Sequence, residues 1–124
     1  MNAEILRAAG IDYAYGVKRF AGRAQLFEKA LTKFPKDSTF ARIRAAYAAD
    51  DRDALLASAH EFKGMCGNIG LTSLYESADA IVQMLRGDAF TDEALSAAYG
   101  LLAERYQTVY DAVVASLEER EGTL

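Results

Sequence analysis

One histidine, His60, stands in the run Ala59-His60-Glu61-Phe62-Lys63-Gly64-Met65-Cys66-Gly67-Asn68-Ile69-Gly70. An imidazole can serve as a nucleophile, a proton shuttle or a metal ligand. With one His and one Cys in the chain, a Cys/His zinc site is excluded. The glutamate after His60 does not make a His-Glu-x-x-His zinc helix, and no nucleophile–base pair is evident, so a hydrolase or metalloenzyme is poorly supported. The run reads as helix, yet Gly64 and Gly67 follow His60 by one turn and two turns. A mid-helix Gly costs about 0.5–1 kcal/mol relative to Ala. Two of them beside a lone imidazole imply that something large must come close to it.

A helical wheel at about 100° per residue sharpens this. Leu55, Ala59, Phe62, Cys66 and Ile69 fall on one stripe, the i, i+3, i+4, i+7 pattern of a core face. Cys66 on that stripe reads as a buried structural thiol. His60 falls about 160° from Phe62, with Gly64 and Gly67 on either side of it. The wheel thus predicts an exposed imidazole flanked by bare backbone, with Lys63 one turn on, between that face and the stripe, and its ammonium expected to be exposed. Glu61 points about 100° away from His60 and receives no catalytic role. Asn68 reads as a structural hydrogen-bonding residue near the helix end. On its own, Lys63 would be a solvated surface charge.

The elements that must carry this strip are helical. Ala, Leu, Glu, Arg and Lys abound, Pro occurs once, and alternating strand patterns are absent. A short helix over about 3–9 ends at Gly10. Asp12 looks like the N-cap of a second short helix that runs toward Phe20, and Gly22 breaks the pattern. A third helix over about 23–34 places Leu26, Phe27, Ala30, Leu31 and Phe34 on one face, and Pro35 closes it. Asp37 or Ser38 caps a helix carrying Phe40, Ile43, Ala46 and Tyr47 inward. Asp50-Asp51 starts the His60 helix, which stops at Gly70, a C′ glycine. Thr72 or Ser73 opens the next, with Leu74, Ala78, Ile81, Val82 and Leu85 inward and Gly87 as its stop.

Thr91 caps the last helix, and Asp92 and Glu93 suit its first turn. No capping box forms there, because Ala94 takes the place of the acid. The stripe of this helix is Leu95, Tyr99, Leu102, Tyr106, Val109, Val113 and Leu117, with a polar tail over 118–124 expected to fray. Amphipathic helices joined by short breaks favour antiparallel neighbours. The expected fold is all-α, one domain over 1–124: an antiparallel up-down four-helix bundle of helices near 37–48, 52–69, 72–86 and 91–119, with additional short N-terminal helices.

The 124 residues suffice for one core, and 52% hydrophobic with 26% charged residues is ordinary for a globular protein. A net charge of −4 without a Lys/Arg cluster argues against nucleic acid as a partner. No apolar run approaches the roughly 18 residues of a membrane span. The start Met1-Asn2-Ala3-Glu4-Ile5 has neither a basic lead nor an apolar signal core, so the cytoplasm is the expected location. A monomer is expected.

The pattern Ala59-His60-x-x-Lys63-Gly64 followed by Gly67-Asn68-Ile69-Gly70 resembles the histidine-containing phosphotransfer (HPt) domain family. The layout is similar too: a motif helix, a second helix with an Ala-Asp-Ala-Ile-Val core at 78–82, a long final helix, and an upstream stretch with Phe20, Phe27, Leu31 and Phe34. Met65 and Cys66 stand where the family often has small residues. The resemblance implies a carrier, not an enzyme. His60, by implication on Nε2, would accept a phosphoryl group from a response-regulator receiver's aspartyl phosphate or from a histidine kinase, and pass it to another receiver's aspartate in two-component signalling.

The chemistry fits these residue types. Phosphoryl transfer runs through a loose, roughly in-line transition state governed by positioning and charge. His60 must be exposed, and neutral to offer a lone pair. Lys63 would pair with the phosphoryl oxygens. Gly64 and Gly67 leave room for a receiver's pocket. No cofactor is expected in this chain; Mg2+ is expected in the receiver's acidic pocket. The partner-binding patch is expected at Leu56, Ala57, Gly64, Met65 and Gly67, apolar or bare surface around His60. The alternative is a helical interaction module with no chemistry, in which the glycine-lined face only docks a partner.

Overall fold

The computed structural model describes residues 1–87 and 89–122, with side chains through 119. Among the described residues the regular structure is entirely helical. In chain order the helices are α1 (Ala3–Ala8), α2 (Tyr13–Arg19), α3 (Ala24–Lys33), α4 (Thr39–Ala48), α5 (Arg52–Ile69), α6 (Thr72–Arg86) and α7 (Asp92–Gly122). A 3-10 turn, Phe34–Lys36, follows α3.

Several ends are set by short polar side chains. Asp12 accepts from the Tyr15 amide at 3.0 Å, Asp51 from Ala54 at 3.1 Å and Thr91 from Ala94 at 3.0 Å, each satisfying an amide that the first turn leaves free. Asp37 accepts from the Thr39 amide at 2.8 Å, and Ser38 makes no capping bond. Gly70 ends α5 at φ 84°, the left-handed conformation that suits glycine. Thr72 opens α6 as expected, and Leu71 occupies its N-cap without a side-chain bond. Leu71 is buried and joins the core at the start of the helix.

Helices α4 to α7 pack in chain order, α4 on α5, α5 on α6 and α6 on α7. Rings close the remaining side between α4 and α7. Tyr47 stacks on Tyr99 with centroids 3.9 Å apart, and Phe40 stacks on Tyr106 at 3.9 Å. Phe62 of α5 reaches the same cluster, 5.9 Å from Phe40 and 6.0 Å from Tyr106. Arg52 latches the far end, bonding Asp92 at 2.8 Å and lying over the Phe90 ring at 4.9 Å.

The expected stripes are largely buried: Phe40, Ile43 and Ala46; Leu55, Ala59, Phe62, Cys66 and Ile69; Leu74, Ala78, Ile81 and Val82; Leu95, Leu102, Val109 and Val113. Tyr47, Leu85, Tyr99, Tyr106 and Leu117 are half-buried against them. Burial pushes the Cys66 thiol far above its usual range, which makes it unreactive. Leu26 departs from expectation and is 43% exposed. Only Phe27, Leu31 and Phe34 of its group are buried, because α3 lies on the bundle's flank and buries a narrower face. The last helix also runs past its expected end near 119: α7 continues through Gly122, while 123 and 124 lie outside the described residues. Asn2 reaches the C-terminal part of α7, donating through its side chain to the Glu119 carboxylate at 2.8 Å and through its backbone to Ser116 at 2.7 Å.

Candidate functional site

Helix α5 presents two opposite faces. Its stripe of Leu55, Ala59, Phe62, Cys66 and Ile69 is turned into the core, which forces the other face outward. His60 is on that outer face and exposed. Among the described residues no salt bridge or side-chain hydrogen bond engages its ring. The ring nitrogens are therefore open to a visiting group.

Five of the expected site residues line two depressions along this face. Leu56 and Ala57 line a shallow hollow of about 440 Å³ with His60, Asp53 and Arg86. Gly64 and Gly67 line a groove of about 550 Å³ with Asn68, Gly70, Thr72, Tyr75 and Glu76, walled on the other side by Tyr15 and Arg19 of α2. Met65 borders neither and is half-buried against the core. Glu61 turns toward α4 and pairs with Arg42 at 2.9 Å.

The two glycines differ. A Cβ at Gly64 would meet nothing within 4 Å, whereas one at Gly67 would come within 3.2 Å of the Tyr75 ring. Gly64 is thus bare surface, and Gly67 also serves the packing of α6 on α5.

Lys63 corrects the expectation of an exposed ammonium. Its side chain is 20% exposed, and its Nζ lies 2.9 Å from Oδ1 of Asp79 on α6. The ammonium also lies 5.7 Å from the centre of the Tyr75 ring. The wheel of α5 alone placed Lys63 between the two faces, and the neighbouring helix covers that position. The Lys63 hydrogen bond, followed by one from Gln83, holds the Asp79 carboxyl below its usual range.

Sequence reasoning missed Arg86, Asp79, Tyr75 and the α2 wall of Tyr15 and Arg19. A signal for three of them was present. Tyr75, Asp79 and Arg86 fall within about 40° on the wheel of α6, a polar strip beside its apolar one. Nothing local announces Tyr15 or Arg19, because their place depends on how α2 folds back against Gly70. A Cβ on Gly70 would come within 3.2 Å of the Gly16 backbone.

A family model described as Hpt domain matches residues 25–116, about three quarters of the chain. No curated protein matches the chain, and no solved structure does. Helices α1 and α2 lie outside the matched stretch.

Proposed function

The chain belongs to the Hpt domain family, which carries phosphoryl groups in two-component signalling, and from that membership we propose that His60 is the residue that is phosphorylated. In this reading His60 accepts the group from a receiver-domain aspartyl phosphate or from a histidine kinase, and gives it to a response-regulator aspartate. The observation that carries the reading is an exposed, unengaged imidazole beside the bare backbone of Gly64. The ring lone pair forms the N–P bond as the aspartyl O–P bond breaks, and the carboxylate leaves with the electron pair. The reverse transfer uses the same line of approach.

Lys63 answers the charge that arrives on the phosphoryl oxygens, and Leu56, Ala57, Gly64, Met65 and Gly67 form the ground on which the partner settles. Magnesium belongs to the partner's acidic pocket, and this chain brings no cofactor of its own. The helices α4 to α7 act as an antiparallel up-down bundle that holds α5 rigid, and the protein works as a cytoplasmic monomer without turning over a substrate alone. No described helix is long and apolar enough to cross a membrane.

Incubation with a phosphorylated receiver domain tests the proposal. Label that is acid-labile and base-stable is expected on the wild type and absent from His60→Gln. A module that only docks would bind the receiver and take no label, and that result overturns the carrier reading.

A further inference from the structure

The Lys63 ammonium is already occupied. Asp79 holds it at 2.9 Å, and Gln83 donates to the same carboxylate oxygen at 3.2 Å. Both members of the pair are partly covered, with side chains 20% and 34% exposed. Partial cover strengthens such a pair relative to one in open water. An ammonium has three N–H donors, but it carries a single positive charge. His60 stands one helical turn before Lys63, the spacing at which helical side chains meet, so a phosphoryl group on His60 and the Asp79 carboxylate would divide that charge between them.

Resting on the carrier reading of His60, we propose that Asp79 is a positioning residue that competes with the phosphoryl group for Lys63 and so weakens the hold of His60 on its phosphate. The competition suits a carrier. A cation wholly committed to phosphohistidine would deepen the phosphorylated state and slow its discharge. A carboxylate on the next helix draws part of that cation away and keeps the intermediate transferable. Nothing in the packing demands an acid at this position: Asp79 is partly exposed at the rim of the α5–α6 contact, whereas the core positions of α6 are Leu74, Ala78, Ile81 and Val82.

Because His60 is the chain's one histidine, all phosphohistidine in the purified protein resides on it. Phosphoimidazole is a suitable probe, since it needs no partner protein. His60 attacks phosphorus, the donor's N–P bond breaks, and free imidazole departs. One phosphoryl group moves in one direction and one proton in the other, so the exchange is reversible and balanced. At a fixed ratio of phosphoimidazole to imidazole, the ratio of phosphorylated to free His60 is read by nuclear magnetic resonance.

Asp79→Asn is expected to raise that ratio about twofold to fivefold, the scale of a partly exposed ion pair. Lys63→Ala should lower it, and Asp79→Asn added to Lys63→Ala should change nothing further. A merely structural role for Asp79 would shift thermal stability without this dependence on Lys63. An unchanged or lower ratio in Asp79→Asn overturns the proposal. So does a gain that persists in the Lys63→Ala background, because the carboxylate would then act by its own charge or through Arg86. If wild type accepts no phosphate from phosphoimidazole or from a phosphorylated receiver, the carrier reading falls and this inference with it. Loading of wild type without a gain in Asp79→Asn removes the inference alone.

Discussion

Gly16 and Gly64 are both mid-helix glycines, and their surroundings are opposite. A Cβ on Gly16 would lie 2.2 Å from Cε1 of Phe27, inside the joint where α2 meets α3. A Cβ on Gly64 would stand in open space. The first glycine is required by the fold. The second costs the helix stability and makes room for nothing within the chain, which fits the docking role proposed for it. What a missing side chain would touch therefore separates glycines that the fold needs from those it does not: Gly100 in α7 shares the open surroundings of Gly64, and what sets Gly64 apart is His60 one turn before it.

The largest expected effect is at the crowded site. Gly16→Ala should destabilise the protein by about 1–3 kcal/mol, the usual range for overpacking. The Phe27 ring is fully buried and held edge-on by Tyr13 at 5.3 Å, so it has little room to yield. Urea unfolding measures this; an unchanged midpoint would mean that α2 shifts freely. Next, Gly64→Leu should slow phosphoryl transfer about tenfold or more while leaving the melting temperature at or slightly above that of wild type, since a side chain there obstructs only a visitor. Normal transfer kinetics would break the contrast between the two glycines.

Gly64→Ala then sharpens it, with an expected gain in stability of about 0.5–1 kcal/mol, opposite in sign to Gly16→Ala. A loss of stability in that variant would place Gly64 among the structural glycines.

Lys63→Ala is expected to slow transfer with the helical circular-dichroism signal intact, because it frees a carboxylate that already reaches solvent. The smallest effect is one of pH. The folded Asp79 carboxyl sits below its usual range, so its pair with Lys63 contributes stability above about pH 4, the unfolded value, and loses it as pH falls through the depressed folded value. The difference in melting temperature between wild type and Asp79→Asn should close on acidification. A difference independent of pH would show that the pair is not its source.

The two glycines also mark how far the chain could be read unaided. The stripe of α5 needed only periodicity, and Leu55, Ala59, Phe62, Cys66 and Ile69 are buried accordingly. Caps at Asp12 and Thr91 were equally legible, because a capping side chain acts within three residues of itself. Gly64 was legible as an exposed glycine for the same local reason. Contacts between elements were not. Whether Lys63 faced water depended on Asp79, sixteen residues away on another helix. Gly67 looked like a second bare position until Tyr75 was found against it. Leu26 fitted its wheel, but α3 buries a narrower face than the pattern offered. The α2 wall of the groove rests on the closeness of Gly16 and Gly70, two small residues far apart in sequence.

His60 rises from the middle of a regular helix rather than from a loop, with its backbone fixed by the core beneath it. In the carrier role proposed for His60, a donor and an acceptor both address the same ring, and a rigid perch gives them no second place to stand. Their visits are therefore mutually exclusive. Steady-state kinetics with two receivers should be ping-pong, with parallel double-reciprocal lines, and an excess of either unphosphorylated receiver should inhibit by blocking the turn of the other.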